Sequence, residues 1–92
     1  MSELRLLKFG ATWCAMCGVM EPLAAKLAEH HGLEVEKIDV DEDPVEAARR
    51  DVRGLPTFIL LGEGGEELGR TTGAKVFGAL ERGLGLKALE RV

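Results

Sequence analysis

The pattern of apolar and polar residues in the first half of the chain predicts a strand, a helix and a second strand. Residues 3–10 are apolar and lack helical spacing, which predicts a buried strand. In the next stretch, apolar side chains recur at the spacing of one helix face: Met20, Leu23, Ala24 and Leu27. Gly32 suits the position just past the end of this helix. Residues 33–40 then alternate apolar and polar side chains, which predicts a second strand.

The second half predicts another helix, a β-hairpin and a final helix. Asp43 followed by Pro44 is typical of a helix start. Three apolar side chains are expected to form the inner stripe of that helix: Val45, Ala48 and Val52. A strand begins at or just after Pro56, and residues 62–65 make a tight turn into the last strand. The final helix should break around residues 83–85, because each glycine there destabilises a helix by roughly 1 kcal/mol relative to alanine.

These elements follow one another as β-α-β-α-β-β-α. The first two helices are long enough to cross over between parallel strands, whereas the short turn before the last strand requires an antiparallel pair. The order therefore predicts the α/β class, with a mixed four-stranded sheet and helices on both of its faces. A chain of 92 residues is expected to form a single domain over residues 1–92.

Composition and charge exclude several classes of function. The formal net charge is −4, and no cluster of Lys and Arg offers a surface for phosphates, so we expect no nucleic-acid partner. The longest apolar run, residues 58–61, is too short to cross a bilayer, so we expect no membrane partner. No apolar signal segment follows Met1, and a cytoplasmic protein is therefore expected.

Both cysteines, Cys14 and Cys17, lie where the first strand gives way to the first helix. Free backbone N–H groups and the positive end of the helix dipole favour a thiolate there, which is expected to lower the pKa of the Cys14 thiol. Cys17 lies nearly one helical turn further on, within bonding reach. The pair suits thiol–disulfide exchange, in which Cys14 attacks a substrate disulfide and Cys17 resolves the mixed disulfide.

Three other interpretations of the cysteines compete with redox chemistry. A zinc site needs further ligands, but His30 and His31 lie roughly 20 Å away along the helix, so we expect no metal there. A structural disulfide that closes so small a loop stabilises little. Two unreactive core cysteines stay open as an alternative, although their place at a helix start argues against it.

The chain resembles the thioredoxin family over about residues 4–89. Four features carry the resemblance: WCAMC around the cysteines, Pro22 in the following helix, GLPT at residues 54–57, and TTGA ending at Gly73 and Ala74. The resemblance implies a thioredoxin-like three-layer fold. It also implies that Cys14 and Cys17 form a redox-active disulfide with no other cofactor, and that the Leu55–Pro56 peptide bond is cis.

The resemblance further implies which residues surround the cysteines and which partners they meet. Eight supporting residues are expected at the site: Trp13, Ala15, Met16, Leu55, Pro56, Thr57, Gly73 and Ala74. Trp13 would shape the docking surface, and Leu55 would present its backbone to an extended substrate segment. The implied substrates are proteins with disulfides. The implied electron donor is a thioredoxin-reductase-like protein or glutathione, and a monomer is expected.

Three departures from the family pattern bear on the chemistry. The chain starts directly on the catalytic strand, so it is expected to lack the extra N-terminal strand and helix of larger members. Lys8 stands where the family holds a buried aspartate, and Lys37 is retained, so two ammonium groups are expected to face each other. We hypothesise that Lys8 favours the thiolate and a more oxidising potential; a Lys8 that points to solvent is the alternative. Met16, in place of a proline, is expected to supply a backbone donor near the Cys14 sulfur.

Three alternative functions stay open. A glutathione-linked reductase would need an anchor for carboxylates, for which Arg53 and Lys75 are the candidates. A non-catalytic module would bind extended peptides along Leu55 and Pro56. A metal or iron–sulfur carrier would pool the cysteines of two chains in a dimer.

Overall fold

The computed structural model describes residues 4–86, which form four strands and three helices. In chain order these are β1 (Arg5–Gly10), α1 (Ala15–His31), β2 (Glu34–Asp39), α2 (Pro44–Arg49), β3 (Thr57–Leu61), β4 (Glu67–Thr72) and α3 (Phe77–Leu84). The predicted order of elements is confirmed. Within this part of the chain, no helix is both long and apolar enough to cross a membrane. The domain extent over residues 1–92 stays a prediction, because residues 1–3 and 87–92 lie outside the described part.

The four strands form one mixed sheet in the order β2-β1-β3-β4. β1 pairs parallel with β2 and antiparallel with β3, and β3 pairs antiparallel with β4. The register places Lys8 of β1 beside Lys37 of β2, so their side chains leave the same face of the sheet. Because β1 is a central strand, the loop that leads from it to Cys14 and the start of α1 leaves from the middle of the sheet.

Apolar side chains pack on both faces of the sheet, which confirms the three layers. On one face, α1 and α3 cover a larger cluster of buried residues: Leu6, Met20, Ala24, Leu27, Phe58, Leu60, Leu80 and Leu84. On the other face lies a smaller cluster: Leu7, Phe9, Ile38, Ile59 and Leu61. Ala47 of α2 and the following Val52 pack against this smaller cluster.

The helix ends lie where local signals predict them. The Asp43 side chain accepts a 3.1 Å hydrogen bond from the amide of Glu46 and so caps α2. Gly32 and Gly85 follow the last residues of α1 and α3 with φ angles of 66° and 80°, a left-handed conformation that favours glycine. The predicted break of the final helix around residues 83–85 is confirmed.

The predicted inner stripe of α2 is wrong at two positions. Val45 is 70% exposed and Ala48 is exposed too, whereas Ala47 and Val52 contact the core. A helix of six residues has fewer than two turns, so the spacing of its apolar residues does not select one face. The way in which the flanking loops attach the helix to the sheet decides which side is buried.

Candidate active site

A disulfide between Cys14 and Cys17 lies at the N-terminus of α1, with both residues half-buried. Cys14 caps the helix, and its Sγ accepts a 3.1 Å hydrogen bond from the backbone amide of Cys17. Cys17 is the third residue of α1, and the third amide is one that a capping side chain reaches. The bond to this sulfur therefore comes from Cys17, and not from Met16 as the sequence predicts.

A cavity of about 260 Å³ opens beside the disulfide, and both cysteines line it. Gly10 is the last residue of β1 and lines this cavity. A Cβ atom on Gly10 would lie 3.2 Å from Cys17 Sγ. The missing side chain therefore lets the strand approach the sulfur closely. Sequence reasoning did not assign Gly10 to the site, although a glycine that ends a strand just before the cysteines is a usable signal.

The loop before β3 brings Pro56 to the wall of the same cavity. The Leu55–Pro56 peptide bond is cis, as predicted. Gly73 donates its backbone amide to the carbonyl oxygen of Pro56 at 2.8 Å. The buried hydroxyl of Thr57 donates to the carbonyl oxygen of Gly54 at 2.6 Å. These two bonds hold the loop in place, so Pro56 lies beside the cysteines.

Exposed residues form the outer side of the site. Trp13 is 69% exposed, and its indole Nε1 donates a 2.8 Å hydrogen bond to Asp41 Oδ2 in the loop after β2. Ala15 and Met16 begin α1 and are exposed; Ala74 is also exposed but does not line the cavity. Sequence reasoning missed Asp41, because no local spacing relates it to a tryptophan in a different loop.

Lys8 and Lys37 line the cavity, but a carboxylate lies between them. Lys8 Nζ donates to Glu21 Oε1 at 3.2 Å, and Lys37 Nζ lies 3.1 Å from Glu21 Oε2. The sequence predicts two ammonium groups that face each other, whereas in the structure the Glu21 carboxylate pairs with both of them. The Lys8 side chain is only 14% exposed, so the alternative in which it points to solvent is wrong.

Glu21 was not among the predicted site residues. Hydrogen bonding to Lys37, and then to Lys8, lowers the pKa of the Glu21 carboxyl, although partial burial acts to raise it. The signal that sequence reasoning missed is spacing: Glu21 lies four residues after Cys17, and residues four apart share one face of a helix.

A sequence model of the Thioredoxin family matches residues 1–84. The chain belongs to the thioredoxin family. The mitochondrial thioredoxin-3 of Saccharomyces cerevisiae is 39% identical over 80 residues, which are 86% of this chain and 61% of that protein. A bifunctional thioredoxin reductase/thioredoxin of Mycobacterium leprae is 40% identical over 81 residues, which are 86% of this chain and 18% of that protein. The chain thus spans less than two thirds of the length of either relative.

The thioredoxin fold is also found by structural comparison. The crystal structure of oxidised mitochondrial thioredoxin 3 from Saccharomyces cerevisiae matches with a TM-score of 0.79 and 36% identity, over 92% of this chain and 79% of that one. In this thioredoxin-family chain, the disulfide and the cis proline share one cavity. Two neighbouring sulfurs that are either bonded or both free can exchange one disulfide for another, which is the chemistry that the arrangement allows.

Proposed function

We propose that this thioredoxin-family chain is an oxidoreductase that reduces protein disulfides through Cys14 and Cys17. One observation carries the proposal: the disulfide caps a helix and opens into a cavity that the cis-proline loop also lines. The N-terminus of a helix stabilises a thiolate, which is the attacking form in disulfide exchange. A module that only binds peptides would need neither of the two paired cysteines.

The reduction takes place in two exchange steps. The Cys14 thiolate attacks one sulfur of the substrate disulfide and forms a mixed disulfide, and the other substrate sulfur leaves and takes up a proton. Cys17 then loses its proton and attacks Cys14 Sγ. This step forms the Cys14–Cys17 disulfide and releases the second substrate sulfur, which is protonated in turn. The substrate gains two electrons and two protons, and the dithiol of the chain loses them.

The proposed substrate is an extended protein segment that carries a disulfide. Pro56 has no backbone N–H, and Leu55 before it is proposed to pair with the substrate backbone as a short added strand. Exposed apolar surface at Trp13 and Met16 supports contact with a protein rather than with a small polar thiol. Gly73 and Ala74 are proposed to form the opposite side of this docking surface.

A thioredoxin-reductase-like protein is the proposed electron donor. It is supported by the Mycobacterium leprae relative, in which a thioredoxin reductase and a thioredoxin are one protein. Glutathione is the competing donor, with Arg53 and Lys75 as its predicted anchors. Arg53 Nε lies 3.0 Å from Asp51 Oδ1, and Lys75 Nζ donates to the carbonyl oxygen of Thr72 at 3.0 Å. Because both cations already have partners, the reductase is favoured.

We further propose that the chain acts in electron transport to protein disulfides as a cytoplasmic monomer. The cytoplasm keeps thiols reduced, so a catalytic disulfide there is transient and can be recharged. Fractionation of cells and sedimentation of the purified protein test the location and the monomer.

Trapping of mixed disulfides tests the proposed function. A Cys17→Ser variant keeps the attacking thiol and lacks the resolving one, so substrate proteins should remain attached until dithiothreitol releases them. A Cys14→Ser variant is the matched control and should trap few proteins. If Cys14→Ser traps partners and Cys17→Ser does not, the assignment of the nucleophile is wrong.

The electron donor requires a separate assay. Reduction of insulin by the wild-type chain should proceed with NADPH and a thioredoxin reductase, and much more slowly with glutathione and glutathione reductase. Faster insulin reduction with glutathione would show that glutathione, and not a thioredoxin reductase, is the electron donor. Zinc and iron analysis of the reduced protein tests the alternative of a metal or cluster carrier.

A further inference from the structure

Four charged side chains of the described residues line the cavity beside the disulfide, and their charges balance. Lys8 and Lys37 are cationic, whereas Glu21 and Asp39 are anionic. Asp39 ends β2, and its Oδ1 accepts hydrogen bonds from two backbone amides of the following loop, at 2.8 and 3.3 Å. The Asp39 carboxylate thus holds that loop, and Glu21 is the carboxylate that contacts the two lysines.

Glu21 connects these lysines to the helix that carries the disulfide. It lies one turn after Cys17, and residues four apart on a helix have Cβ atoms about 5 to 6 Å apart. One of its oxygens faces Lys8 at 3.2 Å and the other faces Lys37 at 3.1 Å. The side chain of Lys37 is 69% exposed and that of Lys8 is 14% exposed, so Lys8 is the cation that Glu21 holds inside the cavity.

We propose that Glu21 is a positioning residue for the dithiol: it holds the Lys8 ammonium inside the cavity and offsets the lysine charges, which limits how strongly oxidising the disulfide is. The proposal rests on the thiol–disulfide function proposed above. It adds a carboxylate on α1 to the two lysines that the sequence indicates. A single charge matters here because the Lys8 side chain is only 14% exposed, and charges shielded from water interact more strongly than charges in bulk solvent.

The direction of each effect follows from the charge of the reduced form. Reduction gives the cysteines thiolate character, and a nearby positive charge stabilises a thiolate. Loss of the Glu21 carboxylate leaves an excess of positive charge, which favours the reduced form and makes the disulfide a stronger oxidant. Loss of the Lys8 ammonium leaves an excess of negative charge and has the opposite effect.

Equilibration of the protein with glutathione buffers at pH 7 measures these effects. Glu21→Gln keeps the size of the side chain and an acceptor oxygen. It should shift the equilibrium about threefold to tenfold toward the reduced protein, which is up to about 30 mV for a two-electron couple. Lys8→Met should shift the equilibrium toward the disulfide by a similar factor. The double variant restores the charge balance and should return within about twofold of wild type.

Three further variants separate charge from structure. Glu29→Gln removes a carboxylate from an exposed position of α1 roughly 18 Å from Cys17, and should leave the equilibrium unchanged. Glu21→Asp keeps the charge and should stay close to wild type. Lys37→Met removes a cation whose side chain is mostly exposed and therefore screened by water, so it should shift the equilibrium toward the disulfide by a smaller factor than Lys8→Met. If Lys8→Met folds poorly, Lys37→Met still tests the direction of the shift.

A second measurement is the rate of Cys14 alkylation as a function of pH, which reports the thiol pKa. A purely structural role of Glu21 would leave this pKa unchanged. The thiol pKa of Cys14 should fall in Glu21→Gln and rise in Lys8→Met. The proposal is overturned if these two variants shift the glutathione equilibrium in the same direction, or if neither shifts it further than Glu29→Gln.

The two proposals fail in distinguishable ways, because equilibration with glutathione requires no protein substrate. A chain that does not reduce protein disulfides, yet shows opposite shifts in Glu21→Gln and Lys8→Met, contradicts only the proposed function. A chain that reduces protein disulfides without these shifts contradicts only the role of Glu21.

Discussion

The backbone amide of Gly73 donates a 2.8 Å hydrogen bond to the carbonyl oxygen of Pro56. Gly73 makes this bond with a φ angle of 94°, in a region that costs a residue with a Cβ atom about 1 to 2 kcal/mol. We expect the free energy of unfolding of the Gly73→Ala variant to be lower than that of wild type by about this amount. The substitution should also slow insulin reduction, because relief of the strain moves the loop away from Pro56. Urea unfolding and an insulin assay measure the two effects.

Gly65→Ala is the matched control for Gly73→Ala. Gly65 has a φ angle of 85°, and an added Cβ atom would meet nothing within 4 Å at either glycine. Gly65 lies in the hairpin turn, where its backbone amide donates to the carbonyl oxygen of Gly62 and not to the proline loop. The Gly65→Ala variant should lose about as much stability as Gly73→Ala but should retain its activity in the insulin assay. An equal loss of activity in both variants would show that the Gly73–Pro56 bond has no specific effect on the reaction.

The hydrogen bond from Trp13 to Asp41 should matter for docking of protein substrates. We expect Asp41→Ala to raise KM for insulin about twofold to fivefold, which corresponds to the net value of about 0.5 to 1 kcal/mol for one hydrogen bond. The fluorescence anisotropy of Trp13, the single tryptophan, should fall because the indole gains freedom. Glu42→Ala removes the same charge next to Asp41 and serves as the control. Equal effects of the two variants would mean that charge, not the bond, is responsible.

Two glycines of α3 should respond in opposite ways to alanine. A Cβ atom at Gly83 would overlap the side chain of Thr71 on β4, whereas at Gly78 the nearest atom is Arg82 Nη1 at 3.4 Å. Gly78→Ala should stabilise the protein by up to about 1 kcal/mol, because alanine is the better helix former. Gly83→Ala should destabilise it by about 1 to 3 kcal/mol through overpacking. Stabilisation by both in urea unfolding would show that helix propensity outweighs the contact of α3 with β4.

The ion pair of Glu67 and Arg70 should make stability depend on pH. The Arg70 guanidinium, which donates to Glu67 at 2.7 Å, lowers the pKa of that carboxyl below its usual range. A carboxyl with a lowered pKa in the folded state stabilises the protein above its unfolded pKa, and this contribution disappears as the pH falls through the folded value. Glu67→Gln should therefore cost up to about 1 kcal/mol at pH 7. The cost should vanish well below about pH 4.3, the usual value for Glu.

Glu63→Gln, an exposed residue of the hairpin turn, is the control for the pH series. Urea unfolding of wild type and both variants at pH 7, 4 and 3 measures the difference. A gap between Glu67→Gln and wild type that stays constant with pH would rule out the ion pair as its cause.

Much of the fold was predictable because its signals are local. Asp43 with Pro44 marks the start of α2, and Gly32 and Gly85 mark the ends of α1 and α3, since each acts on backbone groups within one turn. The prediction failed at Val45 and Ala48, where a short helix gives too few positions to define a buried face. The candidate site divides in the same way. The Cys14–Cys17 pair is local, whereas the bond of Trp13 to Asp41 joins two loops.

The sequence by itself determined the order of the elements, the cysteine pair at a helix start and the proline loop expected beside it. These depend on spacings of a few residues, or on a resemblance carried by short motifs. Only the tertiary structure decided that Gly10 meets Cys17 and that Glu21 lies between Lys8 and Lys37. The reason is physical: such contacts depend on strand order, register and the position of α1 over the sheet, which no spacing along the chain specifies.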